Sequence, residues 1–198
     1  MTARGSAALV ALATIAAYAG AAGTTWQYDD FRVVVIDGDV HSWSAWWASM
    51  PGMRPLTKAS YVANWLVSPE PAGFAIAGVA MHAASSLLVL ALARRWLAAF
   101  APALPRPELA ALAAALVFAL HPAQTEAVVY VAGRSTVLSS LCTLAALYAW
   151  ERAREGPAAA WRAATMLLFA AALAAREVAW LLPFAIVLVE VARGARLG

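Results

Sequence analysis

The stretch GFAIAGVAMHAASSLLVLALA, residues 73–93, carries no aspartate, glutamate, lysine or arginine. A hydrocarbon core of about 30 Å takes roughly 20 helical residues to cross, so this stretch reads as a transmembrane helix. Working outward from it, further apolar runs lie at 6–23, 109–120, 136–150, 158–175 and 178–191. The run at 109–120 is short and gains length from Pro107 and Glu108 or from a continuation beyond His121-Pro122. Pro183 inside the last run predicts a kink. Arg4 before the first run and AAG after it resemble a signal peptide, but no clear cleavage pattern follows, so an uncleaved helix is expected. The expected fold class is all-α: a polytopic membrane helix bundle of about six transmembrane helices, one membrane domain over 1–198 with a long outer loop at 24–72.

Composition agrees. Hydrophobic residues make up 64% of the chain, charged residues 13%, and mean hydropathy is +0.72, well beyond the apolar share of soluble domains. The net charge of +3 does not point to nucleic acid, because the basic residues sit at the edges of apolar runs and not in one patch. The single cysteine, Cys142, lies within an apolar run and reads as a buried thiol.

Charge asymmetry predicts orientation. Arg4, Arg94, Arg95, Arg106, Arg152, Arg154, Arg162, Arg193 and Arg196 gather on one face, which the positive-inside rule makes cytoplasmic, with both termini on that side. The other face receives Arg32, Arg54, Lys58, Arg134 and Arg176 together with Asp29, Asp30, Asp37, Asp39, Glu70, Glu126 and Glu177. The expected setting is a bacterial inner membrane, with the lipid itself as a partner. In the 24–72 loop, Trp26, Trp43, Trp46, Trp47 and Trp65 are of the type that lodges at a membrane interface. RVVVI (32–36) reads as a short extended piece and HSWSAWWASM (41–50) as a short interfacial amphipathic helix.

The unusual polar residues fall on that outer face: Asp29-Asp30, RPLT (54–57), HPAQTEAVVYVAGR (121–134) and REVAW (176–180). A carboxylate can take a proton from a hydroxyl, and arginines can hold a phosphate through charge-assisted hydrogen bonds. Each residue also has a structural reading. Asp29 and Asp30 fit a solvated loop and a helix cap, and a turn around Gly38 explains Asp37 and Asp39. His121-Pro122 ends a helix or touches substrate, and Glu126 with Arg134 forms a structural ion pair or part of a site. His82, beside Ser85 and Ser86 in mid-helix, reads as a hydrogen bond to a neighbouring helix. No His, Asp or Glu cluster has metal-ligand spacing, so no metal and no cofactor are expected.

YDDFRVVVIDGDV (28–40), RPLT, GVAMHAASSLLVLALARRW (78–96), FALHPAQTEAVVYVAGRSTVLSSL (118–141) and AAREVAWLLP (174–183) together resemble the amino-terminal half of the tetratricopeptide-linked transmembrane O-mannosyltransferases of the GT-C superfamily. The resemblance implies transfer of a sugar from a polyprenyl-phosphate donor to a hydroxyl at the outer face, by a single inverting displacement. It implies Asp29 as base and Asp30 as the residue that orients the acceptor. Arg134 would hold donor phosphate or brace the acid pair, with Glu126, His121, Arg176 and Glu177 beside it. Arg176 stands where the family more often has lysine. Family enzymes continue for several more membrane helices, whereas this chain stops at Gly198. Two function classes follow: a lipid-linked sugar transferase, or a catalytically inactive structural subunit of a larger membrane complex. Either way, other membrane subunits or a second copy of the chain are expected as partners.

Overall fold

The computed structural model describes residues 2–194, so Arg196 and both chain ends lie outside the described residues. All regular structure in it is helical: α1 (Ala3–Ala17), α2 (Trp43–Ala48), α3 (Pro55–Val67), α4 (Pro71–Phe100), α5 (Pro107–Leu120), α6 (Thr125–Val129), α7 (Arg134–Arg152), α8 (Ala158–Ala175) and α9 (Leu182–Gly194). Proline opens α3, α4 and α5, where its missing N–H costs nothing and its fixed φ suits the first helical position.

Three segments are long and apolar enough to cross a membrane: Ala3–Gly23, Pro71–Phe100 and Ala158–Ala175. A fourth forms if Pro107–Leu120 and Pro122–Val129, bent by 48° at His121, act as one broken span. The chain is therefore read as an integral membrane protein. The runs at 136–150 and 178–191 are helical as well, but α7 carries many serines and threonines with charge at both ends, and α9 has only 13 residues. Pro183 does not kink a continuous helix. A 3-10 turn at Glu177–Leu181 precedes it, and α9 starts afresh at Leu182. The proline thereby occupies the first turn, where no helical hydrogen bond is lost.

The hub is α4, which packs against α1, α5, α6 and α7, while α8 lies along α7. Ala111, Ala115 and Ala119 recur at helical spacing on α5 and are wholly buried, with Ala111 and Ala115 packed against Val10 of α1 and Leu90 of α4. Small side chains let membrane helices approach closely, and dispersion replaces the hydrophobic drive that lipid cannot supply. His82 donates its Nε2–H to the Ala119 carbonyl of α5 at 3.0 Å and meets Tyr18 edge-on, which is the inter-helix role its position implied.

In the 24–72 loop the RVVVI stretch is not extended. Phe31–Val35 forms a single π-helical turn closed by the Ile36 N–H on the Phe31 carbonyl. Valines favour a strand only where a neighbouring strand takes their backbone groups. None exists among the described residues, and Val34 instead enters a buried cluster with Val40, Tyr61, Val62, Phe74 and Val131. HSWSAWWASM does contain a helix, α2, capped by the Ser42 hydroxyl on the Ala45 N–H. The 13-residue α3 packs against α8, α4 and α7 and so anchors the loop to one end of the bundle.

Candidate functional site

The acid pair sits in a reciprocal turn. The Asp30 N–H donates to the Gln27 carbonyl at 2.8 Å, and the Gln27 N–H donates back to Asp30 Oδ2 at 3.1 Å. Between them Tyr28 takes φ +40°, in the left-handed region that non-glycine residues rarely occupy. Such a conformation costs on the order of 1–2 kcal/mol and persists only where surrounding bonds hold it. The holding group is Asp30. The residue is 1% exposed and its carboxylate accepts a second bond, from the Ala132 N–H to Oδ1 at 2.7 Å. Burial pushes the Asp30 carboxyl above its ordinary value, the two backbone donors pull it down, and the neighbouring Asp29 charge raises it further.

Asp29 has the opposite surroundings. It is exposed, its backbone N–H donates to the Tyr130 hydroxyl at 3.0 Å, and its carboxylate accepts no hydrogen bond from the described residues. Asp29 and Asp30 line a cavity of about 680 Å³, a size usual for small-ligand sites, with Gln27, Tyr28, Glu126 and Tyr130 among its walls. The cavity thus brings together two sequence segments about a hundred residues apart, and two of the expected site residues, Asp29 and Glu126, are exposed on it.

HPAQTEAVVYVAGR supplies the other wall, and its residue types have local reasons. His121 ends α5 and its Nδ1 accepts from the Ala123 N–H at 3.2 Å, so its side chain serves the bend. Glycine is required at two contacts. A Cβ at Gly133 would lie 2.7 Å from the Glu126 carbonyl oxygen, and one at Gly78 of α4 would overlap the Val128 carbonyl oxygen. Val131 accepts from the Tyr61 hydroxyl at 2.8 Å, which ties the block to α3.

Arg134 is 3% exposed. Its guanidinium donates to the Ser60 carbonyl at 3.2 Å, Asn64 Oδ1 at 2.9 Å and the Phe74 carbonyl at 2.7 Å, and it lies over the Tyr61 and Phe74 rings. It forms no ion pair with Glu126, and its donors join α7 to α3 and α4, away from the cavity walls. A guanidinium carries five N–H donors in a planar fork, so one buried arginine can donate to several neutral acceptors on two helices at once.

Arg176 is half-buried and donates to the Thr136 hydroxyl and to Ser135 Oγ at 3.3 Å. Thr136 also lines a separate, mainly apolar groove of 340 Å³ between α5, α7 and the α8–α9 junction. Glu177 forms a bidentate pair with Arg54, at 2.7 and 3.1 Å, and Arg54 holds the Glu177 carboxyl down to about 2. Asp37 accepts from the Asp39 N–H at 3.1 Å as a turn requires, yet both aspartates also bind Lys58, at 3.1 and 2.8 Å.

Sequence reasoning missed Tyr130, Gln27 and Lys58. Tyr130 lay inside the quoted block but within an apolar-looking VVYV run, and nothing local marks its hydroxyl as facing the acid turn. The lysine's reach to Asp37 and Asp39 is the one of the three with a signal, since a cation in an acidic loop invites pairing.

Comparison with known proteins shows distant homology to protein O-mannosyl-transferases. The chain is 30% identical over a 200-residue alignment to Protein O-mannosyl-transferase Tmtc2 of Drosophila melanogaster, covering 89% of this chain and 20% of the fly protein. It is 30% identical to Tmtc1 of Drosophila melanogaster over 63% of this chain and 16% of that protein. It is 32% identical to TMTC3 of Mus musculus over 61% of this chain and 12% of that protein. The chain thus aligns with a fifth or less of the length of these curated relatives. No family model and no solved structure matches it.

Proposed function

We propose that this chain carries the acid-bearing part of a GT-C-like membrane glycosyltransferase that moves a sugar, a mannose by homology, from a polyprenyl-phosphate donor to a hydroxyl. The observation that carries the reading is the contrast within the acid pair: Asp30 is spent on backbone donors, while a strained turn presents the Asp29 carboxylate to a cavity. In the step, the acceptor oxygen attacks the anomeric carbon as its proton passes to Asp29. The bond from that carbon to the phosphate oxygen breaks, and the electron pair leaves on the phosphate, giving inversion. Asp30 acts as a positioning residue in this reading and not as a contact to the acceptor. For the donor, Arg176 supports a phosphate role better than Arg134, since its hydroxyl partners are weak competitors and an apolar groove suited to a prenyl chain adjoins them.

All six apolar runs cross the membrane in this reading, with residues 24–72 on the outer side. Exposed apolar side chains on α8 and α9, such as Leu167, Phe184 and Leu188, meet lipid or the helices of a partner subunit.

The test is transfer from a polyprenyl-phosphate sugar by native membranes carrying wild type or Asp29→Asn. Loss of a general base costs about 10²–10⁴ in rate. Unchanged turnover in a folded Asp29→Asn protein defeats the assignment, and absence of turnover in wild type leaves the structural-subunit reading. A cysteine at position 43 labelled only from the cytoplasmic side would reverse the proposed topology.

A further inference from the structure

At the arginine-rich end, away from the acid turn, a cavity of 400 Å³ opens between α7, α8 and α9, lined by Trp150, Ala153, Arg154, Arg162 and Glu190. Its charges do not cancel. Glu190 is matched by Arg154, and the Trp150 indole N–H donates to the same carboxylate oxygen at 2.7 Å. Arg162 of α8 is exposed and pairs with no carboxylate among the described residues. One formal positive charge is therefore left over, the amount that a phosphodiester would neutralise.

The flank of the cavity is amphiphilic. Met166 lies one helical turn beyond Arg162 on the same face of α8 and is exposed, and Val187 lies one turn before Glu190 on α9 and is exposed as well. A cation at the end of a spanning helix, with apolar side chains leading from it along the helix, matches a phospholipid's headgroup and acyl chain. Trp150 adds the amphipathic ring that favours headgroup depth. Basic pockets between transmembrane helices are a recognised means of holding anionic headgroups.

We infer that this cavity is a binding site for an anionic phospholipid, its phosphate held by Arg162 with Arg154 beside it, and its acyl chains lying along Met166 and Val187. This site is independent of the transferase reading and of the acid turn, and it would serve either an enzyme or a structural subunit.

The experiment is native mass spectrometry of the full chain released from nanodiscs of equal parts phosphatidylglycerol and phosphatidylcholine. Wild type is expected to retain one phosphatidylglycerol in preference to phosphatidylcholine. Arg162→Ala is expected to lose that preference by roughly ten-fold, the scale of one charge-assisted contact. Arg106→Ala, at the same end but outside the cavity, is expected to change it by less than about five-fold, the scale of a diffuse surface charge. Inorganic phosphate at millimolar concentration should not displace the lipid. Equal retention of both lipids by wild type, equal losses in the two variants, or displacement by inorganic phosphate would each overturn the site. Arg162 is exposed, so the thermal stability of Arg162→Ala in detergent should match wild type, and a Lys replacement should keep part of the preference.

Discussion

The two ends of the bundle treat their carboxylates differently. At the arginine-rich end every glutamate among the described residues has a cation: Glu108 is gripped by Arg94 at 2.6 and 2.9 Å, Glu155 by Arg95 at 2.8 Å, Glu151 by Arg193 at 2.5 Å and Glu190 by Arg154. At the loop end some acids are likewise matched, Glu177 by Arg54 and the Asp37/Asp39 pair by Lys58. Asp30 is held by backbone N–H groups alone, and Asp29, Glu126 and Glu70 have no cation partner among the described residues. Paired carboxylates fasten helix ends, whereas an unpaired carboxylate beside a cavity leaves its oxygens open to a ligand. Of the unpaired ones, Asp29 and Glu126 share the cavity. The difference separates acids that hold the fold from acids available for chemistry, and it can be broken experimentally.

The largest expected effect is a crossed one. Asp29→Asn should reduce transfer about 10²–10⁴-fold and leave thermal stability unchanged, while Glu108→Gln should leave transfer unchanged. A stability loss in Asp29→Asn, measured by thermal unfolding in detergent, would place Asp29 with the fastening acids.

Arg134→Ala comes next, because it strips donors from the Phe74 and Ser60 carbonyls and from Asn64. A destabilisation of about 3 kcal/mol is expected, since bonds from a charged donor contribute roughly 1.5–3 kcal/mol each and partial relaxation recovers some. Wild-type stability with weakened donor binding would instead make Arg134 a phosphate ligand.

Asp30→Ala leaves the Ala132 and Gln27 N–H groups unpaired, which costs about 1–3 kcal/mol, and it frees Tyr28 from its left-handed conformation. Protease nicking near residue 28 should rise and transfer should fall with it. Normal transfer in a stable Asp30→Ala protein would deny Asp30 its positioning role.

The smallest effects belong to the paired acids. Glu108→Gln removes a half-exposed pair and should cost less than about 1 kcal/mol. The Glu177–Arg54 latch should respond to acid. Glu177 titrates at about 2 in the folded chain, below the ordinary glutamate value of about 4.3. Its contribution is therefore complete above that ordinary value and is lost as pH falls through about 2. Hydrogen exchange of α3 and the preceding loop should quicken in that window in wild type and not in Glu177→Gln.

Gly78 and Gly133 illustrate where local reading ends. Each looks like an incidental small residue in an alanine-rich chain, yet each is fixed by a carbonyl that arrives from another segment. The RVVVI stretch makes the same point from the other side, since its strand tendency had no partner strand to satisfy and gave way to burial of Val34.

The sequence by itself determined the helical class, the apolar runs and the sorting of arginines to one end, because hydropathy and helical length act on each segment separately. Motif order also carried the homology, and the identity of Asp29, Glu126 and Tyr130 as neighbours was latent in it only as two quoted blocks. Which carboxylate of Asp29-Asp30 is free, that Arg134 is buried among neutral acceptors, and that Tyr130 meets the acid turn were decided by tertiary structure. Those outcomes depend on which backbone N–H and C=O groups from distant segments arrive within about 3 Å, a distance set by helix packing and not by any local pattern.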